Sequence, residues 1–448
     1  MSSLLIAENS SWRGTPDLFG HGGIRLALQI RLCLGSRWFG DLLNVIRSAP
    51  GRIAIALTHR NFRLLWMGAL TSSIGTWMQK VAQVWLIVTI TGSRSGFFLG
   101  LDSFLGELPL LLFTIIGGVV ADRRDRRHMI LMSQTIQMLV AFVLAALIYT
   151  RRIHVAHVLG LSFIAGCARA FGGPAYQSLI PALVGRGHLP NAIALNSIQF
   201  NLARVIGPFV AGAALAAFGM VACYGLNGIS FLFVIAAILV LRDVHAPPIA
   251  IESIVAQFRG GLRFVRKSPN LVAVMALAFF SSLLGAPLLT FLPIITRDVF
   301  HRDVGFYAYL MTFLGAGAVA GALAVAWLGE NKRMGRMLLV LSALFGAIIV
   351  GFGVSRSSCL SALFLFAGGA LFVMCSSLTT SLAQLLAPPE LRGRVLSIYL
   401  VASLGGAPLG SLASGWLVTR VGSAPAMLLV NGTALMLVAV YFLTRVRD

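Results

Sequence analysis

Lys80, Asp102, Glu107, Arg169 and Arg204 are ionisable side chains in stretches of this chain that carry almost no other charge. A charge at the centre of a bilayer costs about 2.5–3.5 kcal/mol on insertion scales, so such residues face protein or water and mark a function. Lys80 falls, by helical rise, at a depth between Asp102 and Glu107 on the following segment. A lysine beside a protonatable glutamate could couple a proton to conformation, whereas a permanent pair would only fix a hairpin; both readings stay open. Asp102 could also be solvated near the outer mouth. Arg169 reads as a cavity or coupling cation, or else as a partner for helix-terminal carbonyls. Arg204 reads as structural.

Polar and aromatic side chains at matching depths could line a cavity: Trp77, Gln79, Gln83 and Trp85 on one segment, Tyr176 and Gln177 on another, and Asn196, Gln199 and Asn201 on a third. Each could instead be an interhelical hydrogen bond. The surroundings are otherwise apolar, which suits a small amphiphilic or hydrophobic solute better than a sugar.

The elements that position these residues follow from composition. With 58% hydrophobic and 11% charged residues, a water-soluble chain could not cover its own interior. Backbone groups in lipid must be satisfied within the protein, and long apolar runs rather than alternating ten-residue segments select helices over a β-barrel. The expectation is an all-α membrane protein with twelve transmembrane helices, near 62–89, 97–121, 129–149, 155–183, 191–217, 220–241, 270–296, 304–328, 336–355, 360–387, 395–418 and 424–444. Net charge +21 would suggest nucleic acid in a soluble protein. Here Lys and Arg concentrate in the loops of one side, which predicts both termini in the cytoplasm and no nucleic-acid partner.

Four regions are expected: a basic leader over 1–57, a six-helix bundle over 58–241, a cytoplasmic linker over 242–269 and a second bundle over 270–448. The leader is a poorly ordered tail, an upstream-start artefact or an amphipathic surface segment. No cleavable signal peptide is read in it. Within the linker, Ile254, Phe258, Leu262 and Val265 at helical spacing predict an interfacial helix. The halves align as a duplication, with Leu195–Gly219 on Ile398–Gly422 placing Gly207, Gly212 and Gly219 opposite Gly410, Gly415 and Gly422. Parallel repeats of this kind are an architecture for rocking about a central site.

The loop after the second segment, Gly118-Val-Val-Ala-Asp122-Arg123-Arg124-Asp125-Arg126-Arg127, has the pattern G-x-x-x-D-R-x-x-R-R and resembles the signature loop of the major facilitator superfamily. "FRLLWMGALTSSIGTWMQKVAQVWLIVTITGS", "LARVIGPFVAG" and "LRGRVLSIY" are similar to a bacterial branch that includes siderophore and drug exporters. The resemblance implies a gating role for Gly118, Asp122, Arg123, Arg126 and Arg127 at the inner face of the plasma membrane. Asp122 would latch the start of helix eleven, and the arginines would pair with Asp122 or Asp125 or face lipid phosphate. Asp125 departs from the pattern's glycine, and the second copy has Lys332 in the aspartate slot. Arg169 resembles a fourth-helix coupling arginine, with Gly172 where that pattern has glutamine. Arg204, Gly207, Pro208 and Gly212 resemble an exporter-associated fifth-helix motif, in which the proline and glycines would unwind and thin the helix.

Other functions find no support. The lysines follow Gln79, Arg266 and Asn331, so no Gly-Lys phosphate loop exists, and neither H-E-x-x-H nor G-x-S-x-G occurs. The cysteines Cys33, Cys167, Cys223, Cys359 and Cys375 form neither a disulfide framework nor a metal site. No cofactor or metal is expected. A channel or scramblase remains as a class that lacks exchange kinetics. The expected function is secondary transport by alternating access, with proton-coupled export of a drug- or siderophore-class compound; the alternative is a facilitator or importer of an organic solute.

Overall fold

The computed structural model describes residues 54–123, 125–241, 254–328, 333–388 and 391–445. The expected leader lies outside the described residues up to position 53, as do 242–253 of the linker. Among the described residues all regular structure is helical.

Helices α1 (Arg60–Thr91), α2 (Ser95–Arg123) and α3 (Arg126–Tyr149) are followed by a continuous helical stretch, α4 (Val155–Val240). At about 1.5 Å per residue, 86 residues would make a rod several bilayers long. Gly185 (φ 71°) and Gly219 (φ 75°) break it. Both lie in the left-handed region that suits a residue without Cβ, so the chain reverses with almost no loop. The reversal is visible in contacts. Gly207 packs on Trp77 while Asn227 Nδ2 donates to Gln79 Oε1 at 2.6 Å, so both sides of Gly219 reach the same turn of α1. Gly92 (φ 52°) reverses α1 into α2 in the same manner.

The amphipathic α5 (Ile254–Lys267) precedes α6 (Pro269–Gly285), which Ser268 caps by accepting from the Leu271 amide. The expected seventh span is one continuous helical stretch, Pro269–Asp298, in which α6 runs into α7 (Pro287–Asp298) through Ala286, itself in helical conformation. Then come α8 (Val304–Leu328), α9 (Met334–Val354), α10 (Ser358–Leu385), α11 (Arg392–Val421) and α12 (Ala424–Arg445).

Among the described residues, ten helical stretches are long and apolar enough to cross a membrane. Two of them, Arg60–Thr114 and Gly187–Val240, have 55 and 54 residues, more than twice the roughly 20 that suffice, and each contains one of the reversing glycines. Many large apolar side chains point outward, among them Phe218 at 74% exposed and Trp327 at 88%. Water would drive such surfaces together; lipid does not.

The glycines aligned across the two halves play matching parts. Gly207 of α4 packs on Trp77 of α1, and Gly410 of α11 packs on the Leu283 backbone of α6. Gly212 faces Ala308 of α8, and Gly415 faces Gly96 and Gly100 of α2. Gly219 and Gly422 both take positive φ and end their helices. The same helix thus touches its own half at one glycine and the other half five residues later. Residues 60–240 and 254–445 meet most closely toward the end that carries Gly92, Gly219 and Gly422. A Cβ built on Gly415 would stand 2.7 Å from the Gly96 carbonyl oxygen, and Trp85 stacks on Tyr307 at 6.4 Å between ring centres.

Arg297, near the end of α7, also crosses at that end. Its Nη1 donates to the carbonyls of Val88 (3.1 Å) and Gly92 (3.4 Å), and its Nη2 donates to Ser95 Oγ (3.4 Å). Asp298 holds the guanidinium through two further hydrogen bonds.

Candidate substrate and coupling site

Asp102 of α2 is buried, and three donor contacts hold its carboxylate. Gln83 Nε2 of α1 lies 3.1 and 2.9 Å from the two oxygens, and Ser162 Oγ of α4 donates to Oδ1 at 2.6 Å. Gln83 Nε2 also lies 2.9 Å from Ser162 Oγ. Three helices are thereby tied at one level, and Asp102 is not the solvated mouth residue that its position allowed. Ser162 escaped the sequence reading because a lone serine in "LGLSFIAG" carries no signal until the helices are packed.

Lys80 makes no ion pair within 4 Å among the described residues, so the expected pairing with Asp102 or Glu107 is not present as a contact. Its ammonium lies 5.3 Å from the centre of the Trp77 ring instead. It still interacts electrostatically with Glu107, Arg169, Arg204 and Asp102, so these charges share one region. The Lys80 side chain is exposed although it lies mid-helix. Arg204 and Phe200 share its aromatic neighbour Trp77, so the exposure opens toward the interior rather than lipid.

Arg169 Nη2 donates to the Gly106 carbonyl at 2.9 Å, while its buried Nε has no acceptor. Arg169 thus has a carbonyl partner within α2 on one nitrogen and an unsatisfied donor on another. Gly172, the departure from the coupling pattern, has a local cause. Its missing Cβ leaves room for Ser133 of α3, whose hydroxyl donates to the Ala168 carbonyl at 2.7 Å.

Arg204 is 7% exposed, and its guanidinium lies 5.7 Å from the Trp77 ring and 5.9 Å from the Phe372 ring of α10. The helix around it corrects one expectation. Non-helical backbone within α4 occurs at Gly185 and Gly219, so the segment through Gly207 and the buried Pro208 is thinned but not unwound. The neighbouring helices approach here because Gly207 and Gly212 lack side chains.

Of the cavity candidates, Tyr176 Oη donates to Asn196 Oδ1 at 3.2 Å across the Gly185 break. Asn201 donates within its own helix to Ser197, and Gln177 is exposed. Gln199 bonds the Ala69 carbonyl and Ser73 on α1, and Gln79 accepts from Asn227. The structure brings Trp77 and Gln83 to the charged region and uses Tyr176, Asn196, Gln199 and Gln79 as interhelical bonds.

At the opposite end, the helical backbone includes Gly118, Asp122 and Arg123, but their side chains lie outside the described residues. The latch is therefore not described. Asp125 caps α3 by accepting from the Arg127 amide at 2.9 Å, a role that glycine in the common pattern could not supply. Arg126 donates to the Ser178 carbonyl, and Arg127 donates to the carbonyls of Ile238 and Leu239. Arg127 thus reaches the carbonyl end of α4, where a cation also complements the helix dipole.

Comparison with known proteins agrees with this architecture. The transmembrane secretion effector family matches residues 54–447. An enterobactin exporter, EntS, of Shigella flexneri is 27% identical over 397 residues, covering 87% of this chain and 94% of the relative. Its counterpart from Escherichia coli O81 is 28% identical with the same coverage. Among solved structures, the nucleoside transporter NupG superposes with a TM-score of 0.65 at 16% identity, covering 86% of this chain and 98% of that one. An inward-facing, unoccupied bacterial homolog of the human lysosomal transporter Spinster gives 0.65 at 14% identity, with 86% and 94% covered.

Proposed function

We propose, for a chain that belongs to the transmembrane secretion effector family, a twelve-helix secondary transporter that works by alternating access and exports a small amphiphilic compound in exchange for protons. The family and its relatives are transporters rather than enzymes, and the helices are built for a membrane. On this reading the two over-long stretches each cross twice, and 58–241 and 270–448 form two six-helix bundles. The substrate belongs to the drug or siderophore class, in keeping with the enterobactin exporters. The basic loops and both termini face the cytoplasm of a bacterial inner membrane.

The observation that carries alternating access is the one-sided seam. The closest approaches between the halves, together with Arg297, cluster toward the Gly92 end, which the positive-inside rule places outside. A seam of this kind supports an inward-facing state of a carrier that can open the other way. Asp102, Glu107, Lys80 and Arg169 are the groups through which a proton would be exchanged with that motion.

Purified protein in proteoliposomes tests the proposal. A proton gradient, acidic on the side that corresponds to the cell exterior, should drive substrate toward that side, and Glu107→Gln or Arg169→Ala should abolish this flux without loss of insertion. Gradient-driven movement in the opposite sense would instead establish the importer alternative. Flux without acceleration by substrate on the far side would indicate a pore.

A further inference from the structure

We infer that the site formed by Arg204 between the Trp77 and Phe372 rings binds the anionic group of an aromatic solute, a carboxylate or ionised phenol whose ring lies against the same aromatic faces. This narrows the proposed substrate class and rests on the reading of the chain as a solute carrier. The starting point is Arg204, whose side chain makes no hydrogen bond or ion pair among the described residues. Its buried Nε lacks an acceptor, and its neighbours are the two aromatic faces. A guanidinium is strongly unfavourable in such a place unless an anion accompanies it, and π faces offset only part of that cost.

The neighbouring charges do not supply the anion. Asp102 already accepts from Gln83 and Ser162, Glu107 makes no ion pair with Arg204 among the described residues, and Lys80 stacks a second cation on the Trp77 ring. Three cations, Lys80, Arg169 and Arg204, therefore share a region with two carboxylates. An anion completes the site, and a cationic amphiphile does not.

The geometry also specifies the rest of the solute. A guanidinium presents its donors in one plane, which matches a carboxylate in bidentate fashion. Trp77 and Phe372 lie on opposite halves of the protein, and Phe200 meets Trp77 edge-on at 6.2 Å, so a flat ring attached to the anion would contact both halves. Such a ligand adds to the contact that Arg204 makes with Phe372 of the other half, and its binding is coupled to the position of the two halves.

The test uses the full chain in lipid nanodiscs and three probes: 1-naphthoate, cyclohexanecarboxylate (charge without an aromatic ring) and 1-naphthylmethylammonium (ring with opposite charge). Calorimetry should show 1-naphthoate binding most tightly and the ammonium probe failing to displace it. Arg204→Gln should weaken 1-naphthoate by about tenfold or more. Phe372→Leu, which keeps every charge, should weaken 1-naphthoate but not cyclohexanecarboxylate, and it serves if Arg204→Gln does not fold. Wild-type affinity for 1-naphthoate in both folded variants, or preferential binding of the ammonium probe, overturns the inference. Proteoliposome flux separates the two levels. Arg204-dependent binding of 1-naphthoate with no flux under either gradient keeps the site and removes the carrier reading. Gradient-driven flux of the ammonium probe, insensitive to Arg204→Gln, does the reverse.

Discussion

Replacing Arg297 with alanine removes three hydrogen bonds that span the seam at the Gly92 end. A net contribution of about 0.5–1.5 kcal/mol per hydrogen bond sets the upper scale. The two bonds at 3.4 Å are long, and the side chain is one-third exposed, so solvent competes for its donors. The sum is then about 1–2 kcal/mol, a factor of roughly 5–30 in the balance between closed and open forms. In the proposed alternating-access cycle, with the Gly92 end outside, these bonds exist only while the outer ends are together, so their loss should favour the outward-open form by that factor. Val418 of α11, buried with its side chain against Gly96 of α2, provides the reporter. With the native cysteines replaced and Val418→Cys introduced, a membrane-impermeant thiol reagent supplied from the Gly92 side should react 5–30 times faster in Arg297→Ala. Arg302→Ala, which removes a nearby charge without breaking those bonds, should leave the rate unchanged. An unaltered rate in well-folded Arg297→Ala, or the same rise in Arg302→Ala, would refute the reasoning.

Three further outcomes are expected. Gly172→Ala should push a Cβ into the Ser133 side chain and destabilise the protein by about 1–3 kcal/mol, seen as a lower melting temperature; Ser133→Gly should recover most of the loss. Gly410→Val drives its side chain at the Leu283 backbone, which cannot move aside, and should sharply reduce the monodisperse fraction on size exclusion. Gly212→Ala, facing only the Ala308 methyl at 3.1 Å, should be milder. Asp102→Asn exchanges an acceptor for a donor opposite Gln83 and Ser162, which costs about 1–3 kcal/mol if one donor is left unmatched. It should eliminate gradient-driven flux while leaving substrate exchange across the membrane measurable; normal gradient-driven flux would remove Asp102 from the coupling groups.

Membrane character and much of the helix layout were legible because both follow from local properties: apolar run length and glycine position. Gly207, Gly212 and Gly219 were visible as a set through their alignment with Gly410, Gly415 and Gly422, and each pair occupies matching contacts. Side-chain partners were the least accessible. Depth along helices one and two put Lys80 between two carboxylates, but rotation about the helix axis, which depth cannot fix, turned it onto Trp77 and gave Asp102 to Gln83 and Ser162. Arg297 looked like one more loop arginine because its acceptors are backbone carbonyls, and every residue type offers those.

The pairing of Gly212 with Ala308 and of Gly415 with Gly96 and Gly100 gives the molecule a smooth bearing. Surfaces made of backbone and single methyl groups hold no interlocked rotamers that must disengage before one half slips past the other, so the friction of that slide comes chiefly from the few larger groups astride it. Trp85 on Tyr307, Arg204 against Phe372 and the Arg297 clamp are such groups, and two of the three lie toward the end that carries Gly92.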